Sequence, residues 1–287
     1  MTETLQTDAF ESQRKRLTRL AYRMLGSLAE AEDVVQDAWL RWRGADVVQV
    51  VDPAGWLVRV TTRLCIDRLR ADAAQRKAYR GPWLPEPLIE DIAVDPVERA
   101  EDVSVAFLLA LERLSPLERA VFLLHEAFDA DYAQIAATLG RSEAACRQLA
   151  ARARAHVQDA RPRFHVPDAE AARLAGAFME AARGGDWSRL AGLLTKDAIL
   201  ISDGGGKRKA ALRPLVGRED VVRLIQGLAS RQAWPPEGRV RLARINGALG
   251  AVMDGPDGAQ TIAFEMAEDG LIDAIYIVRN PDKLRGL

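Results

Sequence analysis

The chain is poor in the residues that most often carry covalent or metal chemistry. Its 287 residues include two cysteines, Cys65 and Cys146, each set in an apolar helical pattern. That setting points to buried thiols rather than a disulfide framework or a thiolate metal site. Of the three histidines, His125, His156 and His165, none lies beyond residue 165. A His–carboxylate pair therefore cannot be drawn from the C-terminal part. No apolar run approaches the roughly 18 residues of a membrane span, and the opening MTETLQTDAFESQRKR lacks the apolar core of a secretory leader. The expectation is a soluble, cytoplasmic protein without a membrane partner. Net charge is −1, which taken alone argues against a binder of polyanions. Internal repeats and low-complexity segments are absent as well.

What is present is charge that is segregated. Residues 59–80 carry seven Arg or Lys against two Asp, and residues 141–163 carry six Arg against Glu143 and Asp159. Between them, residues 86–102 carry seven acids against Arg99. Two basic helices joined by an acidic connector suggest local contacts with a polyanion. For either patch alone, a solvated helix face is an equal reading.

Hydrophobic spacing predicts helices from about Asp8 to Leu25, from a Ser27 cap backed by Glu30, and from Asp52-Pro53 to about Ala74. Residues 79–100 hold four prolines and the acid cluster, so they read as a linker. A second helical block spans 101–160, with breaks at Ser115-Pro116, Asp129–Asp131 and Gly140–Ser142. Beyond Pro167 the period changes. Helices at 168–183, 186–194 and near 218–230 accompany AILIS, a strand-like run after Lys207, and then RVRLARIN, ALGAVMD, QTIAFEMA and LIDAIYIV. This order implies an α+β domain with a curved antiparallel sheet.

The stretch DYAQIAATLGRSEAACRQLAARARAHV, residues 131–157, has the form of a helix-turn-helix. Ile135, Ala136 and Leu139 give an inner face, Gly140 permits the turn, and Ser142 caps the next helix. There Cys146, Leu149, Ala150, Ala153 and Val157 make one buried stripe. The opposite side shows Arg147, Gln148, Ala151, Arg152 and Arg154. Arginine can grip guanine and glutamine can grip adenine through paired hydrogen bonds, and Ala144 and Ala151 permit close approach to a major groove. A plain αα-hairpin with a solvated arginine face is the competing reading.

In SLAEAEDVVQDAWLRW, residues 27–42, Ala31, Val34, Val35, Ala38 and Trp42 form a core stripe. The other side shows Asp33, Gln36 and Asp37 around Leu40, an apolar anchor in an acidic face. AEDVVQDAWLRW, GWLVRVTTRLCIDRLR, LSPLERAVFLLHEAF and the helix-turn-helix, in that order and spacing, resemble the extracytoplasmic-function (ECF) sigma factors. Thr62 and Arg63 stand where many members have Arg and Asn. WLPEP (83–87), DGGGK (203–207) and NPDKL (280–284) further resemble the subgroup that carries a SnoaL-like C-terminal domain.

The resemblance implies a multidomain fold of two all-α sigma domains and a SnoaL-like cone. Their expected ranges are 1–77 for region 2, 78–100 for the linker, 101–163 for region 4 and 168–287 for the tail. It also implies an RNA polymerase sigma factor, not an enzyme, with no cofactor or metal. Its partners are then core RNA polymerase and promoter DNA, with the tail in place of a separate anti-sigma factor. Asp33, Gln36, Asp37 and Leu40 would dock on core polymerase. Trp56, Arg59 and Arg63 would meet the −10 element, core packing being an equal alternative for Trp56. Arg147, Gln148, Ala151 and Arg152 would read the −35 element. Two alternatives remain open: a ligand-sensing helix-turn-helix regulator acting without polymerase, and an enzyme domain fused to a DNA-binding module.

DGGGK is not a phosphate loop of the Walker kind. That loop needs Ser or Thr after the lysine and a helix beyond it, and Arg208 follows Lys207 here. The glycines better suit a tight turn. The expected regulatory contact rests Asp203, Gly204, Gly205, Gly206 and Lys207 against the linker, with its exposed Trp83 and Pro85, or against region 2. Asn280, Pro281, Asp282 and Lys283 brace it. Asp203 or Asp254 is available as a lone carboxylate, and an apolar small-molecule pocket inside the cone is left open.

Overall fold

The computed structural model describes residues 2–46, 49–90, 103–157, 168–230, 240–255 and 257–285. The chain divides into two compact units. One comprises residues 1–78 and 106–161, the other residues 79–105 and 162–287. The proline-rich segment after Ala78 thus groups with the tail.

In the first unit α1 (Thr2–Leu25) stops at Gly26, whose φ of +70° suits a residue without Cβ. Helix α2 (Leu28–Arg43) starts where the Ser27 hydroxyl accepts the Glu30 amide, and it buries Ala31, Val34, Val35, Ala38 and Trp42. The Trp42 indole also donates to the Gln6 carbonyl at 2.9 Å, tying α2 to α1. Asp52 caps α3 (Pro53–Ala71), which buries Leu57, Thr61, Thr62, Cys65, Ile66 and Leu69 and is followed by the short α4 (Ala73–Lys77).

The same unit holds α5 (Val105–Glu112), α6 (Pro116–Glu126), α7 (Tyr132–Leu139) and α8 (Glu143–Val157). Reciprocal caps start α6, through Ser115 and Glu118, and α7, through Asp131 and Gln134. Gly140 at φ +63° makes the turn, and the expected stripe of α8 is buried. On α7, Thr138 is buried while Leu139 is half-exposed, so the inner face is rotated by one residue from the expected one. A charged cluster joins the helices. Glu112 receives Arg76 and Arg119, and those guanidiniums also donate to the Leu25 and Met24 carbonyls at the end of α1.

The second unit is α+β. Its helices are α9 (Asp168–Gly184), α10 (Trp187–Gly192) and α11 (Arg218–Ala229). Its strands are β1 (Ile89–Glu90), β2 (Leu194–Asp203), β3 (Leu215–Val216), β4 (Val240–Ile245), β5 (Ala248–Met253), β6 (Gln260–Met266) and β7 (Ile272–Val278). They form one sheet in the order β1-β4-β5-β6-β7-β2-β3. Neighbours pair antiparallel except β2 and β7, which run parallel. Asn246-Gly247, both at positive φ, makes the tight β4–β5 hairpin. The strand-like run after Lys207 is instead irregular with isolated bends, and pairing is confined to the two residues of β3. Between helices and sheet the core is filled, with the Phe178 and Phe264 rings edge-to-face at 5.1 Å among aliphatic side chains.

Candidate functional site

Three groups of side chains follow from this framework. The buried stripe of α2 leaves Asp33, Gln36 and Asp37 exposed around Leu40, which is 48% exposed. Arg68 lies 3.9 Å from Asp33, too far for more than a weak surface attraction.

On α3, Trp56 is half-buried and its ring packs on Trp42 at 5.2 Å and 53°. Packing on Trp42 restrains the indole while leaving part of it accessible. Arg59 and Arg63 are exposed, but the Arg63 Nε donates to the Thr138 carbonyl on α7 at 2.9 Å. Two of the residues expected at −10 therefore already hold protein partners within this unit.

On α8 the outward face of Arg147, Gln148, Ala151 and Arg152 is exposed. Arg147 pairs with Glu143 at 2.5 Å and lies over the Tyr132 ring, and Arg152 pairs with Glu118 at 3.2 Å. The exposed Arg147–Glu143 i,i+4 pair holds its arginine by only about 0.3–0.5 kcal/mol, so exchange for a stronger anion costs little there, whereas the Glu118 carboxylate that Arg152 meets is half-buried.

The third group lies within the second unit and centres on Asp203, which has no exposed surface. One carboxylate oxygen accepts the Tyr79 hydroxyl at 2.7 Å and the Gly205 amide at 2.9 Å. The other accepts the Leu84 amide at 2.9 Å and the Lys283 ammonium at 2.7 Å. The Asn280 amide group donates to the Tyr79 oxygen at 2.9 Å, and its carbonyl caps the turn at Pro281–Lys283. The Lys283 ammonium also donates to the Leu84 carbonyl and sits 4.2 Å from the Trp83 ring centroid. WLPEP, DGGGK and NPDKL thus meet at one carboxylate.

Trp83 is half-buried beneath that ammonium rather than exposed, and Pro85 is buried. A Cβ on Gly204 would collide with the Arg208 carbonyl, and one on Gly205 (φ +61°) with the Asn280 side chain. Two of the three glycines are required for close approach. Lys207 reaches Asp282 at 2.6 Å, and that bond holds the Asp282 carboxyl below its ordinary range. Burial, then the Asp203 hydrogen bond, pushes the Tyr79 phenol up. Asp203 is thus fully committed as an acceptor, and the exposed Asp254 lies elsewhere. Tyr79 carries no sequence signal because its partners lie far along the chain, and Glu112 carries none because its partners Arg76 and Arg119 sit on other helices.

Among the described residues no cluster of His, Cys, Asp or Glu suits a metal ion, and no helix is long and apolar enough to cross a membrane.

An all-α unit with a capped helix-turn-helix and an exposed basic face on its second helix has the form of a DNA-binding protein, and α2 adds an acidic face around an exposed leucine. Comparison with known proteins agrees. The sigma-70 region 2 model matches residues 9–75 and the sigma-70 region 4 model residues 104–157. ECF RNA polymerase sigma factor SigJ of Mycobacterium tuberculosis is 40% identical over 98% of this chain and 94% of its own. The probable ECF sigma factor SigI of the same organism is 39% identical over 63% of this chain and 64% of its own. The SigJ crystal structure superposes with a TM-score of 0.79 at 38% identity, covering 98% of both chains. The chain belongs to the ECF RNA polymerase sigma factors. As a member of that family it is a transcription initiation factor for core RNA polymerase and promoter DNA, and a C-terminal α+β part shared with the SigJ structure follows its two sigma regions.

Proposed function

We propose that the residues divide the initiation task as follows. Asp33, Gln36, Asp37 and Leu40 dock on core polymerase. Trp56, Arg59 and Arg63 contact the opened −10 element, with Trp42 holding the Trp56 ring. Arg147, Gln148, Ala151 and Arg152 read the −35 element. Two modest DNA modules held on one polymerase act at high effective concentration, which suits a chain of net charge −1. The observation that carries this division is the way the buried stripes of α2 and α8 leave those faces exposed.

The tail tunes this activity in cis, in place of a separate anti-sigma factor, and performs no catalysis. Support comes from Asp203, which bonds the tail turn to Tyr79 and Leu84 of the linker that leads to region 4. Reconstituted holoenzyme assayed by run-off transcription on a genomic promoter library tests the whole scheme. New start sites are expected, and a polypeptide that core polymerase ignores would refute it.

A further inference from the structure

The glycine turn borders a cleft of about 330 Å³ whose lining includes Arg80, Lys207, Arg208 and Lys209. No acidic residue is among its described lining residues. The volume is at the lower end of the about 300–1,000 Å³ of small-molecule sites. Two of the cations are already engaged, Lys207 by Asp282 and Arg208 by the Ala259 carbonyl. Among the described residues, Arg80 and the Lys209 ammonium have no hydrogen bond or ion pair.

The cations are held together by the backbone. Gly206, at φ +71°, would place a Cβ 3.3 Å from the Arg80 Cβ, so its lack of a side chain lets the linker arginine lie against the turn. Arg279 anchors the far side by donating to the Lys209 carbonyl at 2.6 Å. Its guanidinium is pushed down first by burial, with Asp257 at 3.4 Å offsetting part of that and the nearby Arg208 adding to it. Four cations converging from two segments, without acids between them, concentrate positive potential in a concave site. The interior of the SnoaL-like domain is a different matter, being packed with Phe178, Phe264 and aliphatic side chains.

We propose that this cleft binds a small molecule bearing a di- or triphosphate, with Arg80 from the linker and Lys209 from the tail as its principal ligands. A diphosphate offers two such cations more charge and more acceptor oxygens than a monophosphate does. Such a ligand bridges linker and tail beside the Asp203 junction. That it would act as an effector rests on the regulatory reading above, but its binding does not.

The test is calorimetric titration of the full chain, in phosphate-free buffer and without polymerase. The probes are inorganic phosphate, pyrophosphate and a nucleoside triphosphate. Saturable binding is expected for the last two, at least about tenfold tighter than for monophosphate, one such charge-assisted contact being about that factor. Comparing pyrophosphate with the nucleotide shows whether base and sugar add affinity. Arg80→Ala and Lys209→Ala should each weaken binding about tenfold, and Arg80→Lys should retain most of it. Unchanged thermal melting of each variant guards against unfolding. No saturable binding, or binding unaltered in the Arg80→Ala/Lys209→Ala double variant, overturns the proposal. So does displacement of bound pyrophosphate by duplex DNA without promoter elements, since the cleft would then belong to nucleic acid. Because polymerase is absent, failure here leaves the regulatory reading standing, and the truncations discussed below test that separately.

Discussion

Leu40 sits among Gln36, Asp37 and solvent at nearly half exposure, where the periodicity of α2 places it regardless of tertiary context. An apolar side chain at the centre of a polar patch gains from desolvation by a partner while the polar residues around it exclude water. Leu40→Asp should therefore weaken assembly with core polymerase by about 2 kcal/mol or more, roughly thirtyfold, with no loss of melting temperature. Native gel titration against core enzyme measures it. Arg147 makes the complementary case on DNA. Its bond to Glu143 is an exposed i,i+4 pair, so little holds it back from a guanine edge. Arg147→Ala should cost ~1–3 kcal/mol at promoters with the matched −35 base and nothing at promoters altered there. A uniform loss across −35 variants in run-off transcription would reassign Arg147 to backbone contact. Both residues were legible in the sequence because a single helix face specifies them. Tyr79 was not, since its partners Asp203 and Asn280 lie 124 and 201 residues away and leave no periodic trace.

Among the elements, α6 shows how a local signal becomes a measurable stability term. Ser115 and Glu118 form a complete capping box, and the Ser115 hydroxyl is the main reason the Glu118 carboxyl lies below its ordinary range. A depressed folded value means that the ionised form stabilises the fold. That contribution is present above the unfolded value of about 4.3 and is lost as pH falls through the folded one. Ser115→Ala should cost about 1 kcal/mol at pH 7, and the deficit should shrink at acid pH, as followed by urea unfolding. The contact of α5 and α6 with α1 is the stronger tie. Arg119 is 3% exposed between the Met24 carbonyl and Glu112. Glu112→Gln should cost about 2–4 kcal/mol, because a buried guanidinium loses its counter-charge; a loss below 0.5 kcal/mol, on the same order as a surface pair, would show the cluster to be solvated. This cluster escaped the sequence reading, as did the parallel β2–β7 pairing and strand β1. A segment with four prolines reads as linker, and only Ile245, far downstream, makes Ile89 a strand residue. The helices and the strands β4 to β7 were legible because each carries its own apolar period.

At the scale of the whole molecule the question is what one buried carboxylate does for a chain in which the linker groups with the tail. Asp203 is charge-balanced by Lys283, which is 11% exposed, while Tyr79 and the Leu84 amide bring the linker to the same atoms. Lys283→Met keeps most of the side-chain volume but leaves Asp203 buried with hydrogen bonds and no counter-charge, at a cost of about 3–5 kcal/mol. Relief comes most easily by opening the junction, so residues 79–88 should become sensitive to limited proteolysis. Ending the chain before Asn280 removes Lys283 together with the Asn280 bond to Tyr79, and ending it near Pro167 removes the whole tail. If the junction regulates initiation, Lys283→Met and the shorter truncation should shift run-off transcription in the same direction. Restored activity on removing the entire tail would make the domain purely inhibitory, and lost activity would make it required. Equal transcription from the full chain and both truncations would detach the tail from regulation altogether. A shift in the truncation that Lys283→Met fails to reproduce, with the linker shown to be protease-sensitive in both, would move the regulatory contact from the Asp203–Lys283 pair to the rest of the C-terminal segment.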